Sequence, residues 1–171
     1  MSEQQLLFVD VDSTLNNHWK RIREFSSNGI INPQEAFKNT ITDQPLPLAK
    51  EALDEFENAG WKIFILTARP WDMEGEATLD WLNFHGFTFD EIIVVEAAEH
   101  KMAVIGADEI RGCRTPKTFR LFVDDFTSGQ EFQIPVLTTR IYEAARRTGV
   151  PTEPFRNNWA DITERHLGII L

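Results

Sequence analysis

Short apolar runs alternate along this chain with longer segments whose apolar residues fall at helical spacing. The runs are LLFV (6–9), KIFIL (62–66), EIIVV (91–95) and RLFV (120–123), with PVLT (135–138) a weaker fifth. They are brief, rich in β-branched and aromatic residues, and almost unbroken in apolarity, which predicts strands covered on both faces. Between them, PLAKEALDEFENAGW sets Ala49, Ala52, Leu53 and Phe56 on one helical stripe, and Gly60 falls where a C-terminal cap belongs. EATLDWLNFHGF repeats the design, with Leu79 and Leu82 on a stripe and Gly86 as the stop. Strand, helix, strand, helix predicts a doubly wound α/β domain with a mainly parallel sheet.

The section from Asn16 to Pro47 breaks this rhythm and is longer than an ordinary βα connection. It holds two short helical patterns, HWKRIREF and PQEAFKN. We read it as a small cap inserted after the first strand of one domain spanning residues 1–171. The alternative is that HWKRIREF begins an ordinary crossover helix.

Composition narrows the class without changing the fold. A chain of 171 residues, 42% hydrophobic and 26% charged, can bury one core. The formal charge of −10 disfavours tight contact with a nucleic-acid backbone, which needs clustered Lys and Arg, while leaving room for a local basic pocket. The single cysteine, Cys113, has no partner within the chain and suits a reducing compartment. MSEQQ lacks the basic and apolar regions of a signal peptide, and no apolar stretch approaches the roughly 20 residues of a membrane span. The expectation is a soluble, cytoplasmic protein without a membrane partner; oligomeric state is not legible.

In an open α/β sheet, ligands gather beyond the carboxyl ends of the strands. LLFV is followed there by Asp10 and Asp12, KIFIL by Thr67, and RLFV by Asp124 and Asp125. Any one of these aspartates would pass as a helix cap or turn residue. Together they crowd several carboxylates at one sheet edge, which calls for a hard, oxygen-seeking cation such as Mg²⁺. Phosphoryl transfer would use such a set, since it needs an oxygen nucleophile, a proton donor and positive charge around the phosphoryl group. A carboxylate can attack phosphorus, which suits Asp10, while Asp12 could move protons. Thr67 could hydrogen-bond a phosphoryl oxygen, and a lysine would balance the charge.

DVDSTL resembles the first motif (DxDxT) of the haloacid dehalogenase (HAD) superfamily of phosphohydrolases. ILTARP is similar to its second motif, a strand ending in Thr or Ser, and LFVDD to its fourth, the acidic pair. The resemblance runs from Leu6 to about Phe126. It implies a Rossmann-like, three-layer αβα core with a small helical C1 cap, Mg²⁺ as cofactor, Asp10 as nucleophile and Asp12 as acid/base. It further implies metal ligation by Asp10, by the Asp12 backbone carbonyl and by Asp125, with Asp124 orienting the lysine or a metal-bound water. Which of Asp124 and Asp125 touches the metal stays open.

For the third-motif lysine the candidates are Lys101, in EHKMAVIGADEI, and Lys117, in RTPKTF. Lys101 follows the EIIVV strand at its carboxyl end and is preferred on the strand-end rule. Arg69, beside Thr67, either touches substrate or pairs with a neighbouring carboxylate. Thr14 supports the loop after Asp12 through its hydroxyl. His18, Trp19 and Arg21 sit where a cap would face substrate; Trp19 either stacks on a base or fills the interface between cap and core. His85 is read as structural and Cys113 as incidental.

TARP, WLNFHGFTFDEIIVV and the late PFRNNWADI are similar to 5′-nucleotidase-like members of that superfamily. The activity implied is hydrolysis of a small phosphomonoester such as a nucleotide. Two rivals remain: a 3′-phosphatase acting on nucleic-acid ends, and a non-catalytic binding module that kept the fold.

Overall fold

The computed structural model describes residues 4–24, 26–27, 30–31, 40–69, 71–107, 118–127 and 139–171. PVLT, PQEAFKN, Cys113 and Lys117 lie outside the described residues. The main sheet is made of β1 (Gln4–Val9), β4 (Lys62–Thr67), β5 (Glu91–Val94), β6 (Thr118–Asp124) and β7 (Thr152–Pro154). Its order is β5-β4-β1-β6-β7, and every neighbouring pair is parallel. The central strand β1 lies between β4 and β6, with Phe8 level with Phe64 and Phe122.

Alternate residues of these strands feed two separate cores. Leu7, Val9, Ile63, Ile65, Leu121 and Val123 face a layer containing α2 (Ala49–Asn58), α3 (Trp71–Phe84) and α6 (Trp159–Leu167). Leu6, Phe8, Phe64, Leu66 and Phe122 face the opposite layer, where α4 (Lys101–Ile105) and α5 (Thr139–Arg147) contribute Ile105, Ile141 and Ala145. The period-2 geometry of a strand turns an unbroken apolar run into two apolar faces, so the sheet is sandwiched between helical layers.

The helix of PLAKEALDEFENAGW forms as its spacing predicts: Ala49, Ala52, Leu53 and Phe56 are its buried stripe. Gly60 follows at φ +85°, a left-handed conformation that side-chain-bearing residues rarely adopt. In α3 the buried positions include Thr78, Trp81 and Leu82, with Leu79 half-buried. Edge strand β7 has only the residues TEP, and its proline is tolerated because edge strands need fewer ladder donors.

Between β1 and α2 lie α1 (His18–Glu24), a two-residue antiparallel ladder of β2 (Ser26–Ser27) with β3 (Ile30–Ile31), and a 3₁₀ turn at Thr40–Thr42. The two ends of this section are held together by backbone bonds from Asn17 N to Gln44 O (2.8 Å) and from Leu46 N to Leu15 O (2.8 Å), in the loop after β1. Among the described residues, no helix is long and apolar enough to cross a membrane.

Candidate active site

β1 runs out at Val9, and Asp10 still donates its backbone N–H to Val123 of β6 at 3.0 Å. That bond carries Asp10 alongside Asp124, the last residue of β6. Lys101, the first residue of α4, reaches both: its Nζ lies 2.6 Å from Asp10 Oδ1 and 2.7 Å from Asp124 Oδ2. All three side chains are buried. Asp125 follows, also buried, and one carboxylate oxygen each from Asp10, Asp124 and Asp125 can be chosen within 4.8 Å of one another.

The loops after the two acidic stretches are similarly built. Ser13 and Phe126 both have positive φ, 63° and 55°, in a region costly for residues other than glycine. Side-chain acceptors hold each turn: Ser13 N donates to Asn16 Oδ1 (2.9 Å) and Phe126 N to Asp124 Oδ1 (2.7 Å). Thr14 joins the loops, because its hydroxyl lies 3.4 Å from Asp10 Oδ2 and accepts the Asp125 N–H at 3.1 Å. Trp159 Nε1, from α6, donates to the Thr14 carbonyl at 2.9 Å.

Electrostatics follow from this crowding. Burial pushes the Asp10 carboxyl up to about 7; Lys101 opposes that rise, while Asp124 and Asp12 add to it. Burial, with Asp124 and Asp10 nearby, holds Asp125 well above the usual carboxylate range. Burial alone would lower the Lys101 ammonium, but the Asp10 and Asp124 carboxylates outweigh it and the net shift is upward.

Asp12 belongs to a different group. Its carboxylate takes a two-pronged contact from Arg69, with Nε at 2.8 Å, and the Nδ1 of His18 lies 3.0 Å away. Burial would raise its pKa, yet Arg69 and His18 hold it well below the usual range. Behind this pair, Arg21 Nε donates to Asp43 Oδ1 at 2.9 Å, Asn16 Nδ2 donates to Asp43 Oδ2 at 2.9 Å, and Arg69 Nη1 donates to Thr78 at 2.9 Å. Asp12, His18 and Asp43 form the second acidic cluster.

No protein-family model matches the chain, and no curated protein matches it in sequence. Solved structures do match in shape. A hydrolase from Streptococcus pneumoniae TIGR4 superimposes with a TM-score of 0.58 at 12% identity, over 99% of this chain and 100% of that one. A haloacid dehalogenase-like family hydrolase from Streptococcus pneumoniae gives 0.54 at 15% identity, over 89% and 84%. A chain of the Pnkp1/Rnl/Hen1 RNA repair complex gives 0.55 at 16% identity, over 91% of this chain and 43% of that one.

The chain has the haloacid dehalogenase fold.

Within this HAD fold, Asp10, Lys101, Asp124 and Asp125 converge as their strand-end positions predict. Thr67, the last residue of β4, is buried; its hydroxyl oxygen accepts the Arg69 N–H at 3.2 Å, and its own proton meets no acceptor among the described residues. The Arg69 guanidinium is engaged by Asp12 and Thr78, so the pairing alternative describes its position here. Trp19 is half-buried and lines a cavity that also touches Asp125. Asp43 escaped the sequence reading: it sits in the polar stretch TITDQP, where nothing marks it as the buried partner of two arginines and an asparagine. Arg156, whose Nη1 donates to the Asp125 carbonyl at 2.7 Å, was passed over too, within a segment read only for its overall resemblance.

Proposed function

We propose that this protein is a Mg²⁺-dependent phosphomonoester hydrolase working through an aspartyl phosphate on Asp10. The observation that carries this reading is the Lys101 bridge between Asp10 and Asp124, with Asp125 beside it. Three buried carboxyl groups against one ammonium are costly to ionise together, and a hard divalent cation suits an all-oxygen donor set of that kind. Asp124 has one oxygen on Lys101 and the other on the Phe126 N–H, whereas among the described residues the Asp125 side chain accepts from Thr127 alone. That difference favours Asp125 and Asp10 as ligands, with Asp124 fixing the lysine. A bound Mg²⁺ would supply positive charge to the phosphoryl oxygens.

The chain's own groups account for the rest. Asp10 has Oδ1 tied to Lys101, and among the described residues its Oδ2 carries only the long contact to Thr14, so Oδ2 is the oxygen suited to attack phosphorus. As that bond forms, the bond from phosphorus to the leaving oxygen breaks, and the leaving oxygen takes a proton from the protonated form of Asp12, a form that Arg69 and His18 make scarce. Lys101 has a third N–H and Thr67 an O–H, both donors for phosphoryl oxygens. Asp12 then takes a proton from the water that hydrolyses the acyl phosphate, which regenerates Asp10. Arg69 and His18 stabilise the carboxylate form of Asp12, the form required in this second step.

The test is hydrolysis of an aryl phosphate, mononucleotides, sugar phosphates and 3′-phosphorylated oligonucleotides, with and without Mg²⁺. Mg²⁺-dependent phosphate release that disappears in Asp10→Asn is expected. Full activity in that variant would overturn the mechanism. Inertness of the wild type toward every substrate would favour a binding module, and turnover of the oligonucleotides alone would favour action on nucleic-acid ends.

A further inference from the structure

A cavity of about 410 Å³ opens beside Asp125, between α1 and the loop that follows β7. Its volume is within the range of small-molecule sites. Asn17, Trp19 and Arg23 line one wall, and Arg156 and Asn157 the other. Its lining includes two arginines against the single carboxylate of Asp125, in a chain whose formal charge is −10.

On the other wall Arg156 and Asn157 are exposed, so their spare donors are open to an incoming ligand. Arg156 spends Nη1 on the Asp125 and Phe155 carbonyls, which leaves Nε and Nη2 without a partner among the described residues. Asn157 next to it takes φ +56° and makes no side-chain hydrogen bond among them. Across the cavity, Asn17 uses Oδ1 to accept the Lys20 N–H at 3.3 Å, and its amide N–H₂ is unspent. An arginine fork with free N–H groups and two free amides form an array suited to an oxyanion.

We propose that this cavity holds the leaving group of the substrate and that Arg156 recognises a second oxyanion on it. The inference rests on the phosphohydrolase reading above and specifies its substrate class: a phosphomonoester whose leaving group carries a further carboxylate, phosphate or phosphodiester. Trp19 offers an aromatic wall for the body of that group. Because Arg156 also holds the main chain of Asp125, filling the cavity and ordering the acidic pair are linked through one guanidinium.

Matched substrates test it. One pair is 3-phosphoglycerate against glycerol 3-phosphate, which adds a carboxylate. The other is thymidine dinucleotide 3′-phosphate against thymidine 3′-phosphate, which adds a phosphodiester. In at least one pair the added oxyanion should raise kcat/KM about tenfold, as expected for one charge-assisted hydrogen bond, with the change carried by KM. The pair that responds identifies the source of the oxyanion. In Arg156→Ala that ratio should collapse toward unity, and Arg156→Lys should restore part of it. Asn17→Asp, which puts a negative charge on the opposite wall, should collapse it independently should Arg156→Ala fold poorly. No gain in either pair, or a gain that survives both Arg156→Ala and Asn17→Asp, overturns the proposal. Should the wild type hydrolyse none of the four, Mg²⁺-dependent release from an aryl phosphate keeps the phosphohydrolase reading, and inertness toward that and the rest of the panel above overturns it. Calorimetric titration of the same compounds then decides the cavity: Arg156-dependent preference for the added oxyanion supports it, and equal or no binding overturns it.

Discussion

Lys101 and Asp10 meet at 2.6 Å although 91 residues separate them, and neither has appreciable contact with solvent. Without the ammonium, Asp10 and Asp124 would face each other in a buried site with no compensating charge. Lys101→Met should therefore destabilise the metal-free protein by about 3–5 kcal/mol, the usual result of breaking a buried pair from one side. Urea unfolding at pH 7.5 measures this, and phosphatase activity should be lost together with the stability.

Asp10→Asn should have the opposite effect on stability. An amide can still accept from Lys101 but adds no negative charge to Asp124 and Asp125. Because the folded Asp10 carboxyl is pushed up to about 7 from an unfolded value near 3.8, the wild type loses stability as pH rises through that interval. The variant should thus gain on the wild type as pH rises from 5 to 8, while its turnover is abolished. Thermal melts across that interval compare the two.

The same sign governs the response to metal. Raised carboxyls at Asp10 and Asp125 mean that the folded protein holds more protons than the unfolded chain, so metal-free stability falls as pH rises from about 4 through about 7. Mg²⁺ must compete with those protons. Its stabilising shift in melting temperature should be larger at pH 7.5 than at pH 5.5, and should shrink in Asp125→Asn. Differential scanning calorimetry with and without Mg²⁺ reads both effects.

Arg69 controls the proton on Asp12. Removing it in Arg69→Ala leaves burial as the main influence on that carboxyl, so its pKa should rise. The basic limb of the kcat/KM profile, set by loss of the Asp12 proton needed at leaving-group departure, should move to higher pH, and the fold should lose several kcal/mol because Asp12 and Asp43 lose a buried cation. A pH–rate profile and a denaturation curve on the same variant separate the two consequences.

The parts of this molecule that were legible in sequence share a physical cause. β1, β4 and β6 are buried on both faces, so their apolar runs are continuous, and the first polar residue after each marks the sheet edge where ligands bind. That placed Asp10, Thr67 and Asp124 without any knowledge of contacts. β7 was illegible because an edge strand of three residues ending in proline has neither length nor pattern. Asp43, Arg21 and Arg69 form their network only when the section between β1 and α2 folds back on α3, and local sequence carries no trace of that approach. Arg156 was hidden for a related reason: its partner is a backbone carbonyl, which every residue possesses.

The hydrogen bond from Trp159 to the Thr14 carbonyl has a consequence in time. A ribosome finishes Asp10, Lys101 and Asp125 well before it reaches Trp159. Until that indole arrives, the loop whose threonine ties the two acidic stretches together lacks its outer support. A growing chain thus contains Asp10, Lys101 and Asp125 before it contains the residue that buttresses the loop joining the two acidic stretches.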